Sequence, residues 1–168
     1  WYAHVPEPDR MADEIRRRLA LQEAGSMRAF TAKRSETGQI IGMTAFMNID
    51  ESVPRVQIGS TWNAQSAQGT GTNPESKLLL LRHAFEVWEC PAVEFRTDFH
   101  NQQSRDAIAR LGAKQDGILR AHMRAPAGYL RDTVVFSITA AEWPGVRTGL
   151  EQRVLRHLGR DSGSPRLG

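Results

Sequence analysis

The chain has 168 residues, 40% hydrophobic and 24% charged, with a formal net charge of +3 and a sequence pI of about 9.5, which fits one globular domain. No apolar run approaches the roughly 20 residues that cross a bilayer, and the arginines are scattered through helices and tail, so neither a membrane nor nucleic acid is an expected partner. The single cysteine, Cys90, excludes an internal disulfide and reads as a small core residue in a reducing, cytoplasmic setting.

The chain opens at Trp1-Tyr2 without a methionine or a signal-like apolar region, so an N-terminal strand missing ahead of it is expected. Over residues 8–25, Met11, Ile15 and Leu19 recur every four positions and predict an amphipathic helix stopped by Gly25. Residues 28–33 and 40–49, joined by a turn at Glu36-Thr37-Gly38, predict a hairpin with Ile41, Met43, Ala45, Met47 and Ile49 on one face. After a turn over residues 50–54, Val56, Ile58, Ser60 and Trp62 alternate with Gln57, Gly59 and Thr61 in a third, antiparallel strand.

That strand runs into Gln68-Gly69-Thr70-Gly71-Thr72-Asn73-Pro74. Glycines let the backbone turn freely, Asn73 is the expected helix cap, and Pro74 suits a first helical position that needs no amide hydrogen. The product is a nest of free amides at the positive end of a helix dipole, a site for phosphate or diphosphate. Two better-known phosphate motifs do not fit. The dinucleotide fingerprint fails because its third glycine is Pro74, and the nucleotide P-loop fails because Lys77 stands more than a turn inside the helix. The histidines and Cys90 show no paired ligand spacing, so no metal is expected.

Over residues 74–89, Leu78, Leu81, Phe85 and Trp88, joined by Ala84 and Val87, form an apolar stripe opposite Lys77, Arg82, Glu86 and Glu89. Cys90-Pro91 ends this helix, and residues 93–99 alternate as a strand. A strand-helix-strand crossover requires parallel neighbours, so the sheet must change direction near the glycine loop, where a site would open. Asn101 caps a further helix in which Ser104, Ala107, Ile108 and Leu111 share a face, ending at Gly112. Residues 117–123 and 131–139 predict a hairpin about Pro126-Ala127-Gly128, and Trp143-Pro144 opens a last helix to about residue 157. Residues 1–158 form the expected single domain, and residues 159–168 a disordered tail.

In this order and spacing the chain resembles the GNAT superfamily of acyl-CoA-dependent N-acetyltransferases, and within it the Rim-type branch that acetylates ribosomal-protein N-termini. The carriers are Ile58-Gly59 with Trp62, Gln68-Gly69-Thr70-Gly71, His83-Ala84-Phe85, Val93-Glu94-Phe95-Arg96, Asn101 with Ser104-Arg105, Leu111-Gly112-Ala113, Gly117-Ile118-Leu119-Arg120, Arg131-Asp132 and Glu142-Trp143. The resemblance implies an α/β (α+β) three-layer fold, its mixed and mostly antiparallel sheet splaying at the acyl-CoA site, with helices on both faces. It implies an acetyltransferase that carries an acetyl group from acetyl-CoA to a primary amine, a protein N-terminus or a small molecule. A non-catalytic acyl-CoA sensor of the same fold is the alternative, and a homodimer is admitted.

The resemblance further implies that Trp62, Asn63, Gln68, Gly69, Thr70, Gly71, Thr72, Asn101 and Ser104 contact the cofactor, and that Ser104 meets the leaving thiolate. Gly71→Asp is then expected to abolish CoA affinity and leave the fold largely intact. Ser66 replaces the usual Arg or Gln ahead of the loop, Gln57 a frequent acid, and Ala121-His122-Met123 a segment that carries a glutamate in some Rim-type members. The proton acceptor is therefore open among Glu94, Asp98, His122 and a water relay. Trp1, Tyr2, Arg124 and Tyr129 are expected around the acceptor.

Overall fold

The sheet is built almost entirely from antiparallel neighbours, with one exception that decides the architecture. The computed structural model describes residues 6–125 and 127–161; the expectations for Trp1, Tyr2, an element ahead of them and the tail from residue 162 lie outside those residues. A short 3-10 turn leads into α1 (Met11–Glu23), followed by β1 (Met27–Lys33), β2 (Ile40–Asp50), β3 (Arg55–Asn63), α2 (Thr72–Glu86), β4 (Ala92–Asp98), α3 (Gln102–Ala109), β5 (Lys114–Arg124), β6 (Leu130–Thr139) and α4 (Trp143–Asp161). Strand order is β1-β2-β3-β4-β6-β5.

Only β3 and β4 run parallel, and they pair over Arg55↔Ala92, Val56↔Val93 and Gln57↔Glu94 alone. Beyond that point β3 continues to Asn63 and β4 to Asp98 without pairing to each other. The two strands part, and backbone groups on their facing edges are left to find partners elsewhere. The expected splayed, mixed sheet is present.

The main core lies on one face. Phe46, Val56, Ile58, Val93, Phe95, Val134, Phe136 and Ile138 of the strands pack on Leu78, Leu81, Ala84 and Phe85 of α2, Ile108 of α3, and Trp143 and Leu150 of α4. Removing a side chain such as Leu81 from water contributes roughly 1.5–3 kcal/mol. Cys90 is buried beside this cluster, as its apolar setting predicts, and burial pushes its thiol above the usual range. The helix α1 stands on the other face of the sheet, where Arg18 reaches Ser60.

Several local expectations are corrected. In α1 the predicted apolar stripe faces outward, with Ile15 41% and Leu19 53% exposed, while Arg18 is only 3% exposed. Tertiary partners override the periodicity: Arg18 donates to the carbonyl and hydroxyl of Ser60 and to Glu14. In β2 both faces are covered: Phe46 is fully buried in the main core, while on the face expected to be apolar Ile41 and Ala45 are buried and Met43, Met47 and Ile49 half-buried.

In β3 a bulge changes the alternation. Met43 pairs with Trp62 but Ala45 pairs with Gly59, so Ser60 and Thr61 together oppose Thr44. Ser60 has φ 48, and after it Thr61 rather than Ser60 meets Thr44. An added residue of this kind redirects the side chains that follow.

The helix α2 starts at Thr72 with Gly71 as its cap, two residues before the expected start, so Asn73 and Pro74 lie inside the first turn and Asn73 is not the cap. Pro74 still fits because first-turn amides have no helical partner. The helix ends at Glu86, before Trp88. Lys77 is buried rather than on the polar side, since it stands four residues from Leu81 on the same face. Finally, α4 continues through Leu158 and Gly159 to Asp161, past the predicted end and into the segment expected as tail.

Candidate functional site

The β3 strand delivers the chain into the glycine loop through a single 3-10 turn at Gln65–Ala67. Gly69 has φ +72, a conformation that side-chain-bearing residues rarely adopt, and open space where a Cβ would be. Gly71 is glycine for another reason: a Cβ there would lie 3.0 Å from His157 Cβ of α4. Thr70 Oγ1 donates to the Ala67 carbonyl at 2.7 Å and lies 3.0 Å from Thr72 Oγ1, which braces the loop from within. Gln68 Nε2 donates to the Asn63 carbonyl at 3.2 Å and ties the loop to the strand end.

Among the described residues, the amides of Gly69, Thr70, Gly71 and Asn73 donate to no protein group, and the Thr72 amide has only a 3.3 Å contact to Thr70 Oγ1. These are the unspent donors expected of an anion site at a helix start.

Because β3 and β4 are parallel, Asn63 and Asp98 end at the same edge of the sheet, where parallel strands open their ligand crevices. Just beyond β4, Asn101 caps α3 by accepting the Ser104 amide at 3.0 Å. Ser104 is half-buried, and its hydroxyl has no bond within the described residues. Trp62 Nε1 is a buried donor without a partner. Trp62 and Asn63 thus stand at the end of β3, residues 68–72 follow in the loop, and Asn101 and Ser104 lie just past the end of β4, on the edge where the two strands have parted. The unpartnered indole, the free loop amides and the side-chain-free Gly69 fit an extended ligand that carries a diphosphate.

Residues 1–114 match the acetyltransferase (GNAT) domain family. The chain belongs to that family. It is similar to p20, an uncharacterized N-acetyltransferase of Bacillus licheniformis, with 26% identity over 121 residues that cover 72% of this chain and 67% of that protein. A solved structure from T. thermophilus, inferred to be an acetyltransferase, is 32% identical with a TM-score of 0.77, over 89% of this chain and 77% of that one. Mycobacterium smegmatis RimJ, solved in complex with CoA-disulfide, shares the fold at 24% identity and a TM-score of 0.72, over 84% of this chain and 67% of its own.

The acidic candidates of this GNAT domain are all engaged. Glu94 sits where the pairing of β3 and β4 ends, buried, and accepts from Arg55 at 3.2 Å and from Arg96. Asp98 is buried and accepts from the His100 amide at 2.9 Å and from the Tyr129 hydroxyl, with Arg131 at 3.9 Å. Tyr129 is pushed up to about 12 by desolvation and then by its bond to Asp98. His122 Nδ1 lies 3.1 Å from Thr133 Oγ1. Among the described residues no three His, Cys, Asp or Glu side chains group as metal ligands, and no helix is long and apolar enough to cross a membrane.

Three residues near the site escape a sequence reading. Arg34, from the β1–β2 turn, donates to the Ser66 carbonyl at 3.1 Å and so brings a guanidinium to the loop that lacks its usual arginine. Arg18 clasps the β3 bulge from the α1 face, and Lys77 holds Thr61 at 2.9 Å from the α2 face. No local signal marks the first two. For Lys77 the four-residue spacing to Leu81 is that signal.

Proposed function

We propose that this protein is an acetyl-CoA-dependent N-acetyltransferase of the Rim-type branch that acetylates a primary amine, on a protein N-terminus or a small molecule. The observation that carries the reading is the slot between β3 and β4, with unbonded loop amides at its mouth. The CoA-disulfide bound to the RimJ neighbour supports the same ligand here. Residues 1–158 act as one domain in this reading.

The pantetheine arm completes the sheet edge as an added strand would, and the amides of residues 69–73 receive the diphosphate. Trp62, Asn63 and Asn101 line the arm, and a backbone amide near the end of β3 faces the carbonyl oxygen on which charge grows as the amine attacks. Holding amine and thioester together in a ternary complex removes the need for a covalent enzyme intermediate and supplies several kcal/mol of the barrier reduction. The free Ser104 hydroxyl donates to the departing thiolate and relays a proton to it, its own being restored from solvent water so that no alkoxide is left.

An alkyl amine is mostly protonated at neutral pH and must lose a proton before attack. With Glu94 bound to two arginines, its part is to hold the base of the slot, and the amine's proton leaves to bulk solvent along water ordered by backbone carbonyls.

The engaged state of both acidic candidates, Glu94 and Asp98, also favours a second reading, a sensor that binds acyl-CoA without turning it over. A screen of peptide N-termini and small amines with acetyl-CoA, read as thiol release, separates the two. Amine-dependent release supports the enzyme; tight CoA binding with no release from any acceptor supports the sensor.

A further inference from the structure

Lys77 lies in the second turn of α2 and is 6% exposed. Its ammonium donates to Thr61 Oγ1 at 2.9 Å and Thr44 Oγ1 at 3.4 Å, and those hydroxyls stand 2.8 Å from each other. Among the described residues no carboxylate bonds to it. The other charged or titratable groups of the elements packed around it are Asp50 and Arg55, at the far ends of β2 and β3, and Glu75, Arg82, His83 and Glu86 of α2. Arg82 is paired with Glu151 of α4 and Glu86 with Arg147, and none of these groups is bonded to Lys77.

A buried ammonium without an anion is strongly unfavourable, and burial draws Lys77 from 10.5 down to about 8. An apolar side chain would fill the same space without that cost, and Thr44 and Thr61 would still satisfy each other. Arg18, the cation on the opposite face of the bulge, differs because Glu14 balances it at 2.7 Å. The uncompensated charge therefore belongs to Lys77 alone of the two, and it is held on Thr61, in the bulge against β2 that lies within the stretch of β3 beyond its last pair with β4.

We propose that Lys77 is the protein's built-in counter-charge for the acyl-CoA anion, a positioning residue that acts through Thr61 and the β3 bulge on whatever anion enters the slot. This rests on the acyl-CoA reading above. If the anion supplies the missing partner, ligand binding and protonation of Lys77 strengthen each other by the same factor. A lysine with a purely structural role shows no such linkage.

The chain has three lysines, Lys33, Lys77 and Lys114, so protein labelled with 13C at the lysine ε-carbon gives three signals. The Lys114 signal titrates above the usual range because Glu142 holds its proton. Acetyl-CoA is the probe, since it has no free thiol to titrate. The low-titrating signal should move upward by about tenfold in proton affinity on saturation with acetyl-CoA, and calorimetric affinity should fall by about tenfold from pH 7 to about pH 9.5. In Lys77→Met that pH dependence should vanish. A signal unmoved by saturating acetyl-CoA, or the same pH dependence in Lys77→Met, overturns the proposal. The labelled wild type decides the matter even if the variant does not fold. Failure of the wild type to bind acetyl-CoA at any pH removes the acyl-CoA reading itself, whereas binding without linkage removes only the role of Lys77.

Discussion

Gly69 and Gly71 stand two residues apart and are glycines for different reasons. At Gly69 the backbone is left-handed and the space outside is open, so Gly69→Ala costs about 1 kcal/mol in local strain. The expected result is a fall in acetyl-CoA affinity of about tenfold with a melting temperature lowered by only a few degrees, read by calorimetry and thermal unfolding. For Gly71→Asp the new Cβ would lie 3.0 Å from His157 Cβ, so His157 must give by a few tenths of an ångström, and the prediction becomes a loss of stability along with the loss of affinity. At Ser104, Ser104→Ala should lower turnover more than affinity, because the hydroxyl is free and the capping bond is made by the backbone amide. Unchanged turnover discards the proposed acid role.

Lys77 also makes a stability prediction. Its folded pKa, about 8, is depressed below 10.5, so the folded protein gains stability as pH rises through that interval and lacks it below pH 8. Chemical denaturation should show the difference between Lys77→Met and wild type shrinking by up to about 3 kcal/mol across that range. A difference independent of pH means that Lys77 titrates normally.

Among the elements, α1 is tied to the sheet by a charged side chain, Arg18, which donates to Ser60 and is oriented within the helix by Glu14. Arg17, and beyond it Arg18, hold the Glu14 carboxyl down to about 2 from 4.5 against the opposing effect of burial. The pair therefore stabilises the fold above pH 4.5, and the contribution is lost as pH falls toward 2. Hydrogen exchange should show α1 amides losing protection over that window ahead of β2 and β3. Glu14→Gln should remove the acid step, and an unchanged acid profile would show that Arg18 is held by Ser60 alone.

Elements with a strong local period were legible: the Leu78, Leu81, Phe85 face of α2, the alternation of β4, and the cap at Asn101. What escaped was set by distant partners. Arg18 is buried because Ser60, 42 residues away, receives it, and no window of α1 carries that information. The bulge at Ser60–Thr61 likewise breaks an alternation that looks regular in the sequence, because the extra residue is visible only against Thr44 of the neighbouring strand.

At the scale of the whole molecule, the change from antiparallel to parallel pairing was readable because a strand-helix-strand crossover leaves few alternatives. It places the slot at the junction of β3 and β4, and the loop at its mouth follows directly in the chain. The loop's glycines were legible for a different reason, being local, while Arg34 reaches the loop, and Arg18 and Lys77 the β3 bulge, from elsewhere in the fold or from a face misread as polar.

Calorimetry of acetyl-CoA against acetylpantetheine, which keeps the thioester and arm but lacks the diphosphate, tests the central claim most directly. Binding of acetyl-CoA that weakens by at least about tenfold in acetylpantetheine is predicted, since the free loop amides then lose their anion. No heat with acetyl-CoA, or equal affinity for the two compounds, would contradict it.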